Sequence, residues 1–419
     1  MFLFIGCAIF ICLGIIYFKL ISSYTYTYTY TYDKKNIPNV SIPTSAEHDA
    51  TQKQGKRFKD WMDIATKLAA LPPNEVIEQL NSQDPFGTRK FGHDLFEQES
   101  RLQRSLNMSE LQQLFSCPVD RITLPDMRVE EKAQAFRNGD EGTFLFFQHL
   151  RKAGGTHFCT LAQKNLPPNA VSKYYCMPDM GWKEQGAGYL HQYSNEEIIS
   201  NMKKSGYRIA GNEWDQFRQG ETDGFFNLPA LFATSFRSPL DRALSQFRFE
   251  CLEDRGCKID TIEKYWEKRS DLKNVYTLTF SDHRGRLNKA YHGTNPKEID
   301  ERVMMLRTAL DTIARFHLVL AMEWLAYASP LVQEVLGFED TEQLTHRVRP
   351  HMKQAKILRN DGQEENKMGS ASIAKASYDA KEYLDPALYI EMSHDLALDE
   401  ILTDAARRMF LERLVCNGV

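Results

Sequence analysis

The 419 residues are 42% hydrophobic and 26% charged, the composition of an ordinary globular protein, and they suffice for one large domain or two smaller ones without stapling. A formal net charge of −4 argues against a generic nucleic-acid binder, so an anionic ligand has to be met by local basic groups.

Residues 1–22 read as a transmembrane signal anchor. The apolar run 1–18 ends at Lys19; as a helix it spans about 27 Å against a hydrocarbon core of ~30 Å, and Leu20 and Ile21 extend it. A cleaved signal peptide is the competing reading, weakened by the lack of Lys or Arg before the run and by poor small-residue cleavage options beyond it. Lys19, Lys34 and Lys35 all follow the run, which by the positive-inside tendency would put the body in the cytosol. Two sequons, Asn39-Val40-Ser41 and Asn107-Met108-Ser109, mark glycosylation sites only if the body is lumenal.

Residues 23–57 read as a low-complexity tether and polar linker that opens on the Tyr-Thr alternation from Tyr24 to Tyr32. The region 58–141 reads as helical. Trp61, Ile64, Leu68 and Leu71 recur at helical spacing until Pro72-Pro73 intervenes, and Leu95, Leu102, Leu106, Leu111 and Leu114 make a second stripe. These stripes suit a stem that joins copies of the chain or, as the plainer expectation, a packing face against the main domain.

From 142 to 419 short apolar runs alternate with helical stretches, the signature of an α/β domain with a parallel sheet flanked by helices. Strands are expected at 143–148, 207–210, 230–236, 275–280 and 316–321. Helices are expected at 156–164, 239–251, 299–313, 323–336 and 396–414. Outside the apolar run stand six of the eight cysteines, Cys117, Cys159, Cys176, Cys251, Cys257 and Cys416. In an oxidising compartment they permit fifteen sets of three disulfides, with Cys251–Cys257 the best single pair; the alternative is buried free thiols.

Two segments carry chemistry. The first strand runs into Arg151-Lys152-Ala153-Gly154-Gly155-Thr156-His157, followed by a helix start. Glycines let backbone N–H groups approach an anion, the helix end adds partial positive charge, Thr156 a hydroxyl and Lys152 a full charge. An ordinary strand-to-helix turn capped by Thr156 accounts for the same spacing. Lys152 precedes the glycines, whereas a Walker A loop has its lysine after them, and no aspartate clearly plays the Walker B part. The second segment, Arg237-Ser238-Pro239-Leu240-Asp241-Arg242-Ala243-Leu244-Ser245, again leaves a strand and opens a helix at Pro239. Arg237 and Ser245 are candidate ligands of one phosphate; a surface arginine and a helix serine are the default.

Together these segments resemble the 5′-phosphosulfate loop and 3′-phosphate motif of the Golgi carbohydrate sulfotransferases, with the heparan sulfate 2-O- and 6-O-sulfotransferases as the nearest relatives. The likeness covers about 142–414, with Glu323 opening a helix as in that family's late strand and helix. It implies a P-loop-like fold and sulfuryl transfer from 3′-phosphoadenosine 5′-phosphosulfate (PAPS) to a glycan or polysaccharide hydroxyl, with no metal required and no nucleic acid as partner. Lys152 would be catalytic. Arg151, Lys152, Gly154, Gly155, Thr156, His157, Arg237 and Ser245 would bind the donor. The family's base, a histidine after the second strand, is missing from Ile209-Ala210-Gly211-Asn212-Glu213-Trp214-Asp215. Glu213 takes that role here, with Asp215 and His191 as substitutes and His149 as a flanking residue. The resemblance implies a single-pass type II protein of the Golgi membrane with a lumenal catalytic domain. Two alternatives stay open: a non-catalytic glycan- or nucleotide-binding protein on the same fold, and a P-loop kinase.

Overall fold

The computed structural model describes residues 55–117, 128–173, 175–182, 190–213, 215–252, 257–259, 261–282, 295–345, 357–358, 364–365 and 380–416. The expected anchor (1–22) and nearly all of the tether (23–57) lie outside them. No helix among the described residues is long and apolar enough to cross a membrane.

At the centre stands a four-stranded parallel sheet: β1 (Phe144–Gln148), β2 (Ile209–Asn212), β3 (Ala230–Phe236) and β4 (Leu318–Ala321), in the spatial order β2-β1-β3-β4. The register sets Gln148 beside Asn212 on one side and Thr234 on the other. Every residue of these strands is buried, as a parallel sheet covered on both faces requires. Alternation splits them between two cores: Phe144, Phe146, Phe232, Phe236 and Val319 in one, Leu145, Phe147, Leu231, Leu318 and Leu320 in the other.

The N-terminal helices belong to these cores. Helices α1 (Gly55–Ala69) and α2 (Pro73–Gln83) bring Trp61, Leu68, Val76 and Leu80 into the first. Helices α3 (Thr88–Leu102), α4 (Met108–Leu114) and α5 (Arg128–Asn138) bring Phe91, Leu95, Leu111 and Phe136 into the second. Both stripes read from the sequence therefore pack within the chain, except for Leu102, which is exposed. Residues 58–141 form no separate stem; 51–419 make one compact unit. The plainer of the two expectations holds because an isolated amphipathic helix has nothing else to bury its apolar face against.

Helix α6 (Gly155–Asn165) packs Phe158 and Leu161 on the second core, and α7 (Asn195–Ser205) packs Ile198 and Met202 on the first. Helix α8 (Pro239–Phe247) ends in a π turn, Arg248–Leu252. With α9 (Ile262–Lys268) it builds a smaller third core around Phe247, Tyr265 and Trp266.

Residues 275–280, expected as a strand, form helix α10 (Val275–Phe280). The run Val-Tyr-Thr-Leu-Thr-Phe has strand propensity, but a short apolar stretch buried all round does not settle its own type. A distant carboxylate decides: Asp399 accepts from the N–H groups of Tyr276 (3.0 Å) and Thr277 (2.8 Å) and from the Thr277 hydroxyl (2.9 Å), closing the helix's first turn.

Helices α11 (Pro296–Ala314) and α12 (Ser329–Leu336) flank the sheet on opposite cores through Met305 and Leu331. After α13 (Ala380–Tyr383) and α14 (Pro386–Asp395), the closing helix α15 (Ala397–Leu411) gives Ile401 to the first core and Phe410 to the second.

Among the described residues the disulfides are Cys117–Cys416, Cys159–Cys176 and the expected Cys251–Cys257.

Candidate active site

The strand order locates the site. From β1 the chain moves to β2 on one side, then crosses to β3 on the other. The loops leaving β1 and β3 thus part company at the carboxyl edge, which makes the crevice where open α/β sheets bind ligands. The loop after β1 is 149–157 and the segment after β3 begins at Arg237. The end of β3 is tied to β1 and its loop: Thr234 Oγ1 donates to the Gln148 carbonyl at 3.0 Å, and the Ser235 hydroxyl donates to the Ala153 carbonyl.

After Gln148 the chain turns through Leu150, whose carbonyl accepts from the Ala153 N–H at 3.0 Å. Lys152 (φ +67°) and Gly154 (φ +95°) both occupy the left-handed region, and α6 starts at Gly155. Close approach accounts for the glycines. A Cβ on Gly154 would stand 2.2 Å from Met322 Sδ, which follows β4, and one on Gly155 would stand 1.6 Å from His149 Nε2. Gly154 offers no side-chain cap to α6, and the first N–H groups of a helix have no partner inside it. This end of α6 is therefore a backbone cradle suited to an anion.

Lys152 Nζ lies 4.1 Å from the centre of the Phe249 ring, on the π turn after α8. Arg151 Nη1 reaches Glu250 Oε1 at 3.0 Å on the same turn. Burial pushes Glu250 up, but hydrogen bonds from Tyr265 and Gln246 and the charges of Arg269 and Arg151 hold it below the ordinary carboxylate range. Glu250 is thus a fixed anion that seats Arg151. His157 is buried on α6, so its backbone rather than its ring is what it can present.

Arg237 leaves β3 half-buried, with its carbonyl accepting from the Tyr276 hydroxyl at 3.1 Å. Ser238 caps α8 through its hydroxyl, Pro239 follows at the first helical position, and Ser245 stands half-buried in the second turn. Arg242, the second arginine of this motif, is a core tie: it donates to the Leu272 carbonyl and to Gln246, both at 3.1 Å. Glu323 supports the segment from outside the motif, accepting from the Ser238 N–H at 2.6 Å and pairing with Arg407 of α15 at 2.8 Å. Burial raises this carboxyl, yet Arg407 and the Ser238 N–H keep it below its usual range. Met322 and Arg407 carried no local signal, since their role exists only across the fold.

The candidate bases lie beside β1. Gln148 Nε2 donates to the carbonyls of Asn212 and Asp215, both at 3.0 Å, holding the segment after β2 against the end of β1. Glu213 Oε2 is 3.8 Å from His149 Nδ1, so Glu213, His149 and Gly155 form one line of contacts. Asp215 is buried, and its Oδ1 lies 2.6 Å from His191 Nδ1. The structure thus brings all of the sequence's candidate bases to the edge that carries the glycine turn.

A cavity of about 360 Å³ lies elsewhere, lined by Trp61, Ile64, Phe86, Gly87 and Arg408 among others. None of the candidate residues borders it. A comparison with protein-family models, with curated proteins and with solved structures found no significant match.

Proposed function

We propose that this protein is a sulfotransferase that moves the sulfuryl group of PAPS to a hydroxyl of a glycan or polysaccharide. One observation carries the reading. Two anion-suited segments, the glycine turn with Lys152 and the Arg237–Ser245 segment, leave adjacent parallel strands at the switch point and are joined through Ser235 and Ala153. A nucleotide with phosphates at both 5′ and 3′ positions matches two such sites better than a single phosphate does.

In this reading the N–H groups of Gly154, Gly155 and Thr156 and the Thr156 hydroxyl hold the 5′-phosphate, while Arg237 and Ser245 hold the 3′-phosphate. The acceptor oxygen attacks sulfur as the bond from sulfur to the bridging phosphate oxygen breaks. Lys152 neutralises the charge that gathers on that oxygen. A side chain at the same edge takes the acceptor's proton. The products are a sulfate ester and adenosine 3′,5′-bisphosphate. Three disulfides agree with an oxidising compartment, in keeping with a Golgi lumenal domain behind an N-terminal anchor. Asn107, at the exposed start of α4, is open to glycosylation there.

Transfer of radiolabelled sulfate from PAPS to a panel of polysaccharides, with the bisphosphate product measured in parallel, tests the proposal. Labelled polysaccharide is expected, and Lys152→Ala should abolish it. Absence of transfer to every polysaccharide of the panel overturns the reading. Magnesium-dependent phosphate transfer from ATP would favour a kinase instead.

A further inference from the structure

We propose that His191, held by Asp215, is the group that takes the acceptor's proton, and that Glu213 instead steadies the glycine turn through His149. This inference rests on the sulfotransferase reading above.

The geometry separates the two carboxylates. Asp215 grips residue 191 twice: its Oδ1 lies 2.6 Å from the ring Nδ1, and its Oδ2 accepts from the His191 backbone N–H at 3.4 Å. From the other side Arg218 donates to the carbonyls of His191 (3.4 Å) and Tyr193 (2.8 Å). The short 3-10 turn Leu190–Gln192 is thereby clamped at both ends, with Leu190 fully buried beneath it. Exposure divides the roles. The Asp215 side chain is 4% exposed and the His191 ring 42%, so the orienting anion is sealed off while the imidazole is reachable. A neutral ring that donates from Nδ1 to a carboxylate carries its lone pair on Nε2, the arrangement of a general base with its orienting partner. The pair is tied to the glycine turn by one residue: Gln148, which donates to the Asp215 carbonyl, directly precedes His149 and the loop.

Glu213 is differently placed. It faces the Nδ1 of His149 at 3.8 Å, and the opposite nitrogen of that ring abuts Gly155. Its contacts lead into the donor cradle rather than toward an acceptor. The proton would pass from the acceptor hydroxyl to His191 Nε2 as the oxygen bonds to sulfur. The resulting imidazolium is balanced by Asp215, which acts as a positioning residue.

The experiment measures sulfate transfer and adenosine 3′,5′-bisphosphate binding on the full chain. His191→Asn should lower kcat by about 10²–10⁴-fold while bisphosphate affinity stays that of wild type, because the residue lies outside the donor cradle. Imidazole added to His191→Ala should restore part of the activity. Asp215→Asn should lower kcat with little change in KM for PAPS, because the imidazole loses the carboxylate that orients it. Glu213→Gln should instead weaken adenosine 3′,5′-bisphosphate binding, with a smaller loss of kcat at saturating donor, because it acts on the glycine turn through His149. Full activity in His191→Asn, or loss of transfer in Glu213→Gln with normal bisphosphate binding, overturns the inference and leaves the sulfotransferase reading standing. A wild-type chain that transfers no sulfate overturns that reading itself.

Discussion

His149 occupies the space that a side chain at position 155 would need: its Nε2 is 1.6 Å from where a Cβ on Gly155 would stand. Only Gly154 of the glycine pair has a positive φ, so Gly155 is required by this contact and not by backbone conformation. Gly155→Ala should therefore push the imidazole aside, with a loss of about 1–3 kcal/mol of stability and weaker donor binding. His149→Ala in the same chain should recover much of the stability. Thermal unfolding of the two single variants and the double variant checks this, and additive effects would deny the coupling.

Lys152, the catalytic charge of the proposed reaction, has a left-handed backbone, φ +67°. A non-glycine residue there carries a cost of about 1–2 kcal/mol. Lys152→Gly should accordingly melt higher than Lys152→Ala, while both lose transfer by about 10²–10³-fold, the effect of removing one group that stabilises transition-state charge. Melting curves and kcat on the same preparations separate the two effects.

Arg237 is assigned to the 3′-phosphate, so its loss should be selective. Arg237→Ala should weaken adenosine 3′,5′-bisphosphate by about 10- to 150-fold, the equivalent of a charged hydrogen bond, and leave adenosine 5′-monophosphate nearly unchanged. Calorimetric titration with both nucleotides decides it; equal losses would remove Arg237 from the 3′ site.

Cys117–Cys416 joins residues 299 apart in sequence, whereas Cys251–Cys257 joins residues 6 apart. Cross-links that close longer loops restrict the unfolded chain more. Replacing Cys117 and Cys416 by serine should cost about 2–5 kcal/mol in urea unfolding, and replacing Cys251 and Cys257 clearly less. The short link adjoins Phe249 and Glu250, which seat Lys152 and Arg151, so its removal should show in activity more than in stability.

Burial pushes the Asp241 carboxyl up to about 7, against the pull of Arg237. The folded state therefore binds this proton more tightly than the unfolded state, and the resulting stability is present below the ordinary pKa near 3.8 and lost as pH rises through about 7. Asp241→Asn, which cannot ionise, should be more stable than wild type at pH 8, with the gap closing toward pH 4. Unfolding curves across that range measure it; a gap that does not change with pH would place the carboxyl in a less buried setting.

Much of the site was legible in the sequence because it is local. A strand that runs into a glycine turn and a helix start is written in consecutive residues, as are Arg237 and Pro239, and the parallel sheet follows from the alternation of apolar runs with helical ones. The order of strands, by contrast, is not written in any segment. It was the pairing of β1 with both β2 and β3 that set the two loops side by side.

The sequence by itself determined the sheet's class and the position of the glycine turn and favoured the pairing of Cys251 with Cys257, all consequences of neighbours along the chain. Only the tertiary structure decided that 275–280 is a helix, since the carboxylate of Asp399 satisfies the first N–H groups of that segment from far along the chain. It also decided that the N-terminal helices are walls of the sheet domain rather than a stem, and that Gly155 answers to His149. Each of these depends on which surfaces meet. Burial and hydrogen-bond satisfaction are settled between segments, and they override local propensity wherever a run of residues is apolar all round.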